Sequence, residues 1–412
     1  MKIPCIKCKG ATPLQSCGRT FCPILAKAEA MYKLENKFEK ENFEGSSPAP
    51  FVGRFNYPDI NVGILSLPEM QEEAWLYDAP NYWAQKNFEI PEIIEMRSSL
   101  INSRFRTNIR QTNKFLEISR EIGMASKPVD LEISLDKKPA FRITQEPYLA
   151  PMGPNAKLKK ADIISNPKID YKVDKVVSDT DLKAGSAIAY LYRHNFDENF
   201  LSRLLSVGTI GIKTNRKLVP TRWSITAVDD TIAKHIISNI KQHDSTNYLS
   251  FFGGYLGNYF LVLLFPEVWQ YELFETYMPK ASWNPSDSID YTTDYEPYEG
   301  RKSYAENCGG GYYAIRLPIL EKLAELKKQA TVLVLRFITC EYATHLGVWV
   351  PREAARKALS SKPIEFSSKE LMLSYTKSLV RKKFGYDMEI LLNKSIIIKN
   401  LKNQKKLSAF IK

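Results

Sequence analysis

Residues Tyr248–Tyr277, YLSFFGGYLGNYFLVLLFPEVWQYELFETY, carry the reading of the fold. Three apolar, aromatic runs (Tyr248–Phe252, Tyr259–Phe265 and Trp269–Tyr277) are parted by Gly254 and Gly257 and then by Pro266. Each run is strand-sized, rich in residues that suit a pleated, half-buried surface, and bounded by residues that turn the chain. The stretch therefore predicts three successive antiparallel strands. Tyr259–Phe265 is the longest candidate membrane segment and falls far short of the ~20 apolar residues needed to span a bilayer as a helix.

Downstream, Ser286–Gly300 is acidic and aromatic and reads as a loop. Gly309-Gly310-Gly311 precedes Tyr312-Tyr313 and a helix with Ile319, Leu320, Leu323 and Leu326 on one face. Ala330–Ile338 is a continuous apolar run, the pattern of a strand buried on both faces. His345–Val350 reads as another strand, followed by a helix led by Pro351. Ser367 with Glu370 forms a capping pair for a helix ending at Gly385, and a short helix follows near Met388–Asn393.

Upstream, the pattern is less regular. An Ala-, Lys- and Glu-rich helix runs from residue 23 to about Lys40, and Gly45-Ser46-Ser47-Pro48-Ala49-Pro50 reads as a linker. Helical periodicity returns at Ile90–Phe105 and Thr112–Ile122, and Asp130–Leu135 alternates like a strand. Pro147, Pro151, Pro154 and Pro167 mark a long loop. A helix is expected after Ser178, with Asp181 as its capping partner, and another near Glu198–Ser206. The block Arg216–Asp230, RKLVPTRWSITAVDD, reads as a polar turn, a short strand and an Asp N-cap leading into a helix at Thr231–Gln242. The whole predicts a mixed α/β (α+β) class: one large body with an N-terminal four-cysteine zinc knuckle and a flexible C-terminal peptide. Its expected divisions are 1–25 (knuckle), 26–68 (helical and linker approach), 69–393 (main body) and 394–412 (tail).

Hydrophobic content of 44% and charged content of 25% belong to an ordinary globular chain of 412 residues. The N-terminus lacks an apolar signal segment, so a cytoplasmic, nucleoid-associated protein is expected. A net charge of +12 favours polyanionic partners without establishing one.

Four of the six cysteines, Cys5, Cys8, Cys17 and Cys22, fall in the first 22 residues as C-x2-C-x8-C-x4-C. Two close pairs joined by a short loop can wrap four thiolates round one tetrahedral ion, and Zn2+ suits that donor set. So short a segment cannot bury a core, and metal binding would supply its folding energy. Disulfides and a redox pair fit the expected compartment and the clustering less well; an iron–sulfur cluster is the other metal reading. Phosphate-loop, dinucleotide, H-E-x-x-H and G-x-S-x-G signatures are absent. Arg216, Lys217 and Arg222 beside Trp223 have the chemistry to clamp a phosphate and stack a base, although a buried ion-pair network around a Pro turn is the more ordinary use of them. Asp229, Asp230, Glu272 and Glu275 are the candidate catalytic carboxylates, able to hold Mg2+ or Mn2+ for phosphodiester hydrolysis if they converge.

The chain ends Gln404-Lys405-Lys406-Leu407-Ser408-Ala409-Phe410-Ile411-Lys412. In a single tight turn Leu407, Phe410 and Ile411 would form one apolar plug, with Gln404 as a polar hook. This Q-x-x-L-x-x-F-I pattern resembles the peptide by which replication and repair proteins hold the sliding clamp PCNA. An amphipathic last helix is the competing reading.

Taken together, the chain resembles the archaeal Nre family of DNA repair proteins. The resemblance rests on the four-cysteine knuckle, Phe51-Val52-Gly53-Arg54 with Tyr57-Pro58, Pro151-Met152-Gly153-Pro154 and the Arg216–Asp230 block. It continues through Trp269 with Glu272 and Glu275, Gly309–Tyr313 and Leu346–Glu353. It implies DNA damage repair alongside nucleotide-excision repair factors. It also implies Cys5, Cys8, Cys17 and Cys22 as zinc-finger ligands and Gln404, Leu407, Phe410 and Ile411 as the clamp peptide. Ile411 stands where the family has a second aromatic, which implies weaker clamp binding. No catalytic residue is carried over. The readings that remain are a clamp-tethered DNA repair factor, a metal-dependent nuclease or other lesion-processing enzyme, and an RNA-binding protein.

Overall fold

The structure, a computed structural model, describes residues 8, 11–12, 15, 21–38, 41–141 and 150–403. The mixed α/β class is as expected, with two six-stranded sheets. The chain divides into two compact units, one of residues Lys2–Ile232 with Ala343–Gly347, the other of Ala233–Tyr342 with Val348–Lys412.

The N-terminal unit opens with α1 (Pro23–Lys37) and the strands β1 (Asn42–Ser47), β2 (Ala49–Val52) and β3 (Asp59–Ser66). The short helix α2 (Pro80–Gln85), α3 (Ile90–Ser98), β4 (Ile101–Asn108), α4 (Lys114–Met124), β5 (Val129–Leu135) and β6 (Asn155–Ile163) follow. The sheet order is β1-β5-β6-β4-β3-β2, antiparallel except for the parallel β4–β6 pair. Alternation decides which face is buried. Val129, Leu131, Ile133 and Leu135 of β5 point into a core shared with Val62, Ile64, Phe105, Leu116 and Ile122, while Asp130, Glu132 and Ser134 point outward. Asn113 starts α4, its side chain accepting the Leu116 N–H at 2.9 Å.

Several expectations for this unit are corrected. Residues 45–50 are not a linker but parts of β1 and β2. Their serines are buried because Ser47 Oγ donates to the Leu65 carbonyl at 2.7 Å and Ser46 Oγ to Asp130. Ile90–Phe105 is not one helix. A reciprocal Glu89–Glu92 capping box starts α3, which ends at Ser98, and β4 begins three residues later. The proline-marked loop contains β6, whose period is broken by a register shift opposite Ser134 and Leu135, so strict alternation is lost.

The chain continues with α5 (Tyr171–Ser178), α6 (Ala184–Arg193) and α7 (Glu198–Ser206). The helix expected after Ser178 is present as α6, with Ala187, Ile188 and Leu191 buried, but it starts at Ala184 with Lys183 at its N-cap, while Ser178 ends α5; Asp170 caps α5 and Asp197 caps α7. In the RKLVPTRWSITAVDD block, residues 216–220 belong to neither helix nor strand and a single helix, α8 (Thr221–Ile240), takes the rest. The predicted strand is absent because the buried positions Ser224, Val228, Ile232, Ile236 and Ile240 recur every four residues, a helical stripe that outweighs the β-branched composition. Pro220 stands just ahead of the first turn, where its missing N–H costs nothing.

In the C-terminal unit, β7 (Tyr248–Tyr255), β8 (Asn258–Phe265), β9 (Gln270–Tyr277) and β10 (Asp290–Glu296) precede α9 (Gly310–Leu326) and β11 (Thr331–Ile338). Then come α10 (Trp349–Ser360), β12 (Ile364–Phe366), α11 (Lys369–Phe384), α12 (Glu389–Lys394) and α13 (Ile396–Asn403). The order is β10-β9-β11-β8-β7-β12. The three predicted strands exist, but β8 and β9 are not neighbours. Buried β11 inserts between them, parallel to β9 and antiparallel to β8. On one face Leu263, Phe265, Leu333, Leu335 and Phe337 pack with Met372, Val380, Leu391 and Ile397 of the last helices. Gly253 of β7 meets α10 so closely that a Cβ there would sit 2.7 Å from Ala358 Cα. Coverage on both faces is why the central strands read as unbroken apolar runs.

Ser286–Gly300, expected as a loop, holds β10. The expected strand at His345–Val350 is absent, since α10 begins at Trp349. Gly385 does close α11, with φ +68°. Residues 396–403, within the expected tail, form α13, whose Ile397 and Ile398 are buried. The clamp-peptide residues Gln404, Leu407, Phe410 and Ile411 lie outside the described residues, as do Cys5 and Cys17. No helix among the described residues is long and apolar enough to cross a membrane.

Candidate nucleic-acid interface

The block from Arg216 is built into the N-terminal unit by its backbone. Leu218 N–H donates to the Ile109 carbonyl and Val219 N–H to the Ser206 carbonyl, both at 2.9 Å. Gly208, at φ +71°, lies against the Lys217 carbonyl, which a Cβ would approach to 2.6 Å. Thr221 Oγ1 accepts the Val52 N–H at 2.9 Å, and Arg203 donates to the Pro48 carbonyl at 2.6 Å. The first contact covers the outer edge of β2 and the second the residue just before it, backbone groups that would otherwise be unpaired.

This anchoring brings two separate sequence motifs together. The turn between β2 and β3 carries Arg54, Phe55, Asn56, Tyr57 and Pro58, all exposed. Asn56 adopts φ +62°, a left-handed conformation that asparagine tolerates better than most residues. Tyr57 meets Trp223, in the first turn of α8, with ring centroids 5.2 Å apart. Trp223 remains 45% exposed, Tyr57 41% and Phe55 64%; the Arg54 guanidinium lies 5.1 Å from the Phe55 ring centre. Arg222 is exposed beside Trp223. Arg110 follows Ile109, whose N–H binds the Pro58 carbonyl at 3.1 Å. None of Arg54, Arg110 and Arg222 forms an ion pair among the described residues. The nearby carboxylate, Asp59, accepts from Asn108 at 3.0 Å. Exposed aromatic faces bordered by unneutralised guanidinium groups can stack on bases and hold phosphates.

The other candidates separate. Arg216 is structural: its guanidinium donates to the carbonyls of Gly211 (2.7 Å), Val177 (2.8 Å) and Asp179 (3.0 Å), closing the C-terminal end of α5. Lys217 is half-buried. Asp229 is fully buried and Asp230 half-buried; adjacent on a helix, their side chains diverge. Glu272 and Glu275 lie three apart on β9 and so face opposite sides of the sheet. Glu272 accepts from Ser395 Oγ and from the N–H groups of Ile396 (2.8 Å) and Ile397 (3.0 Å), which makes it the cap of α13. Glu275 pairs with Arg336, which also donates to Asn258. Asp294 pairs with Arg301 at 3.1 Å and accepts the Cys308 N–H. Glu296 pairs with Arg316 and accepts from Tyr312 OH (2.8 Å) and Trp269 Nε1 (3.2 Å). Glu272 and Glu275 are thus not gathered into one metal-binding cleft. Among the described residues no group of three or more His, Cys, Asp or Glu side chains is placed to hold a metal ion.

The basic clusters are partly spent as well. Lys157 pairs with Asp136 (3.1 Å) and Lys160 with Asp162 (3.0 Å). Arg381, Lys382 and Lys383 occupy the last turn of α11, where they complement the helix dipole. Of the four N-terminal cysteines, Cys22 is the N-cap of α1. Cys8 Sγ accepts the Thr12 N–H at 3.3 Å, a contact that suits a thiolate donor.

The residues that sequence reasoning left out of the site are Arg54, Phe55, Tyr57 and Arg110. The available signal was RFNYP, an Arg–aromatic run in a turn with no apolar periodicity that would send its rings to a core.

Models of the archaeal Nre family match residues 16–284 (Archaeal Nre, N-terminal) and 296–410 (Archaeal Nre, C-terminal). The chain is 35% identical to the DNA repair protein NreB of Archaeoglobus fulgidus, over 96% of this chain and 97% of that protein. It is 37% identical to the DNA repair protein NreA of Haloferax volcanii over 77% of each chain. It is 38% identical to NreA of Archaeoglobus fulgidus over 89% of this chain and 91% of that one. No solved structure matches the chain. On the two family models and these relatives, each matched over more than three quarters of its length, the chain belongs to the archaeal Nre family.

Proposed function

We propose that this protein is a DNA repair factor that contacts DNA through the Arg54–Tyr57 turn and the start of α8, and is held at the replication clamp PCNA by Gln404, Leu407, Phe410 and Ile411. The observation that carries the DNA contact is the exposed Tyr57–Trp223 pair, with exposed Arg54 and Arg222 close to these rings in the chain and exposed Arg110 next to Ile109, which holds the turn. The relatives' names supply the process. The tether rests on the sequence pattern of the last nine residues and on the family resemblance. Tethering raises local concentration at DNA, so the surface need not bind DNA tightly by itself. Zn2+ held by Cys5, Cys8, Cys17 and Cys22 would give the first 25 residues their fold; the Cys8–Thr12 contact supports that reading. Nucleotide-excision repair factors are the expected companions in the process.

Two measurements test it. Salt-dependent DNA affinity of the full chain should show a shallower slope in Arg54→Gln and Arg222→Gln, because each lost phosphate contact releases about one fewer counterion. Slopes equal to wild type would remove the DNA-contacting role from this surface. In calorimetry against PCNA, Phe410→Ala should abolish most of the binding, since a buried aromatic anchor is the usual hot spot. Unchanged binding would remove the tether.

A further inference from the structure

The aromatic rim has a geometry that distinguishes among forms of DNA. A paired, stacked duplex offers phosphates and groove edges on its outside and keeps its base faces covered. Electrostatic contacts alone would therefore satisfy it, and exposed rings would gain little. Here three rings, Phe55, Tyr57 and Trp223, stay open to solvent on one small turn and the helix start beside it. The Tyr57 and Trp223 rings are tilted by 53° to each other, and both residues stay exposed, at 41% and 45%. The turn is held from beneath by backbone bonds: Ile109 N–H to the Pro58 carbonyl, Gly53 N–H to the Asn61 carbonyl and Asp59 N–H to the Asn56 carbonyl. The rings are thus presented on an ordered support, which lowers the entropy lost when a ligand docks.

We propose that this rim is a binding site for unstacked nucleobases, in single-stranded or locally unpaired DNA, with Trp223, Tyr57 and Phe55 as stacking platforms and Arg54 and Arg222 on the flanking phosphates. The inference rests on the DNA-contacting reading above and narrows its ligand to strands whose base faces are open. It fits a repair role physically, because bases at mismatches, bulges and flipped-out lesions cost least to unstack.

The test uses the full-length chain and fluorescence anisotropy with a single-stranded oligonucleotide, the matching duplex, the duplex with a three-base bulge, and an RNA strand of the same sequence. The variants are Trp223→Ala, Phe55→Ala, Trp223→Phe and Arg222→Gln, each checked for unchanged melting. Trp223→Ala should weaken single-stranded and bulged DNA by about five-fold or more, the effect of losing one base–aromatic stack, and leave the intact duplex nearly unchanged. Trp223→Phe should restore most of the affinity. Arg222→Gln should weaken all DNA forms together. Equal losses for duplex and single strand in the aromatic variants would overturn the inference while leaving the DNA contact standing. Tighter binding of RNA than of DNA would overturn it too. No change in any variant with any oligonucleotide would overturn both readings.

Discussion

Replacing Glu272 with alanine is expected to destabilise the C-terminal unit without touching a catalytic centre. Glu272 is 1% exposed and serves three donors: Ser395 Oγ and the first two N–H groups of α13. Ser395 Oγ in turn accepts the Ile398 N–H at 3.1 Å, so the serine keeps one cap of its own after the substitution. Loss of a helix N-cap costs about 1 kcal/mol, and loss of a hydrogen bond to a charged acceptor about 1.5–3 kcal/mol. With Ser395 as partial compensation, a total of about 3 kcal/mol is expected. In a unit of this size that corresponds to a fall of about 6–12 °C in melting temperature. Calorimetry of the full chain reads it directly. Protease accessibility should rise first at Ile396–Asn403, because Ile397 and Ile398 pack with the core that this cap orients. A loss below about 1 kcal/mol would refute the capping role. The pH dependence gives an independent check. Burial pushes the Glu272 carboxyl above its ordinary pKa, against the pull of its three donors and Lys399. A group raised in the folded state contributes stability that is present below the unfolded pKa and lost as pH rises through the folded one. The wild type should therefore gain on Glu272→Gln as the pH falls from neutrality into the carboxylate range.

Other substitutions separate structural from exposed groups. Arg216→Ala should cost about 2 kcal/mol in urea denaturation, through three carbonyl contacts at a half-exposed site, whereas Arg222→Ala should leave the midpoint nearly unchanged. Asn56→Val should destabilise by about 1–2 kcal/mol because a β-branched residue is strained at φ +62°, while Asn56→Gly should be neutral or better; equal effects of the two would exclude backbone strain. In thiol labelling read by mass spectrometry, exposed Cys340 should react promptly at pH 8. Cys308 should react only on unfolding, since burial and the charges of Glu275 and Asp294 push its thiol up.

Much of the C-terminal unit was legible in the chain. The apolar run Ala330–Ile338, the helix after the triple glycine and the stop at Gly385 are local signals, set by periodicity and by residues that tolerate one backbone conformation. The N-terminal sheet was harder to read. Its strands β1 and β2 contain glycine, serine and proline, which are tolerated there because side chains from other segments satisfy or cover them. Arg216–Asp230 drew attention as a polar block, but local composition hid two facts. Its β-branched residues lie on a helix, and its first arginine is consumed by the end of α5.

By itself, the sequence determined the family and the mixed α/β class, because these are patterns of spacing and composition written within short stretches. Tertiary structure decided how the strands are ordered, with β11 entering between β8 and β9. It also decided which charged residues remain available. Glu272, Glu275 and Arg216 look as exposed in the sequence as Arg222; burial beside partners distant in the chain spends the two glutamates, and hydrogen bonds to carbonyls spend the arginine. It likewise brought Tyr57 to Trp223, residues joined by no local pattern. Their meeting depends on Thr221 closing the edge of β2, a contact between segments far apart along the chain.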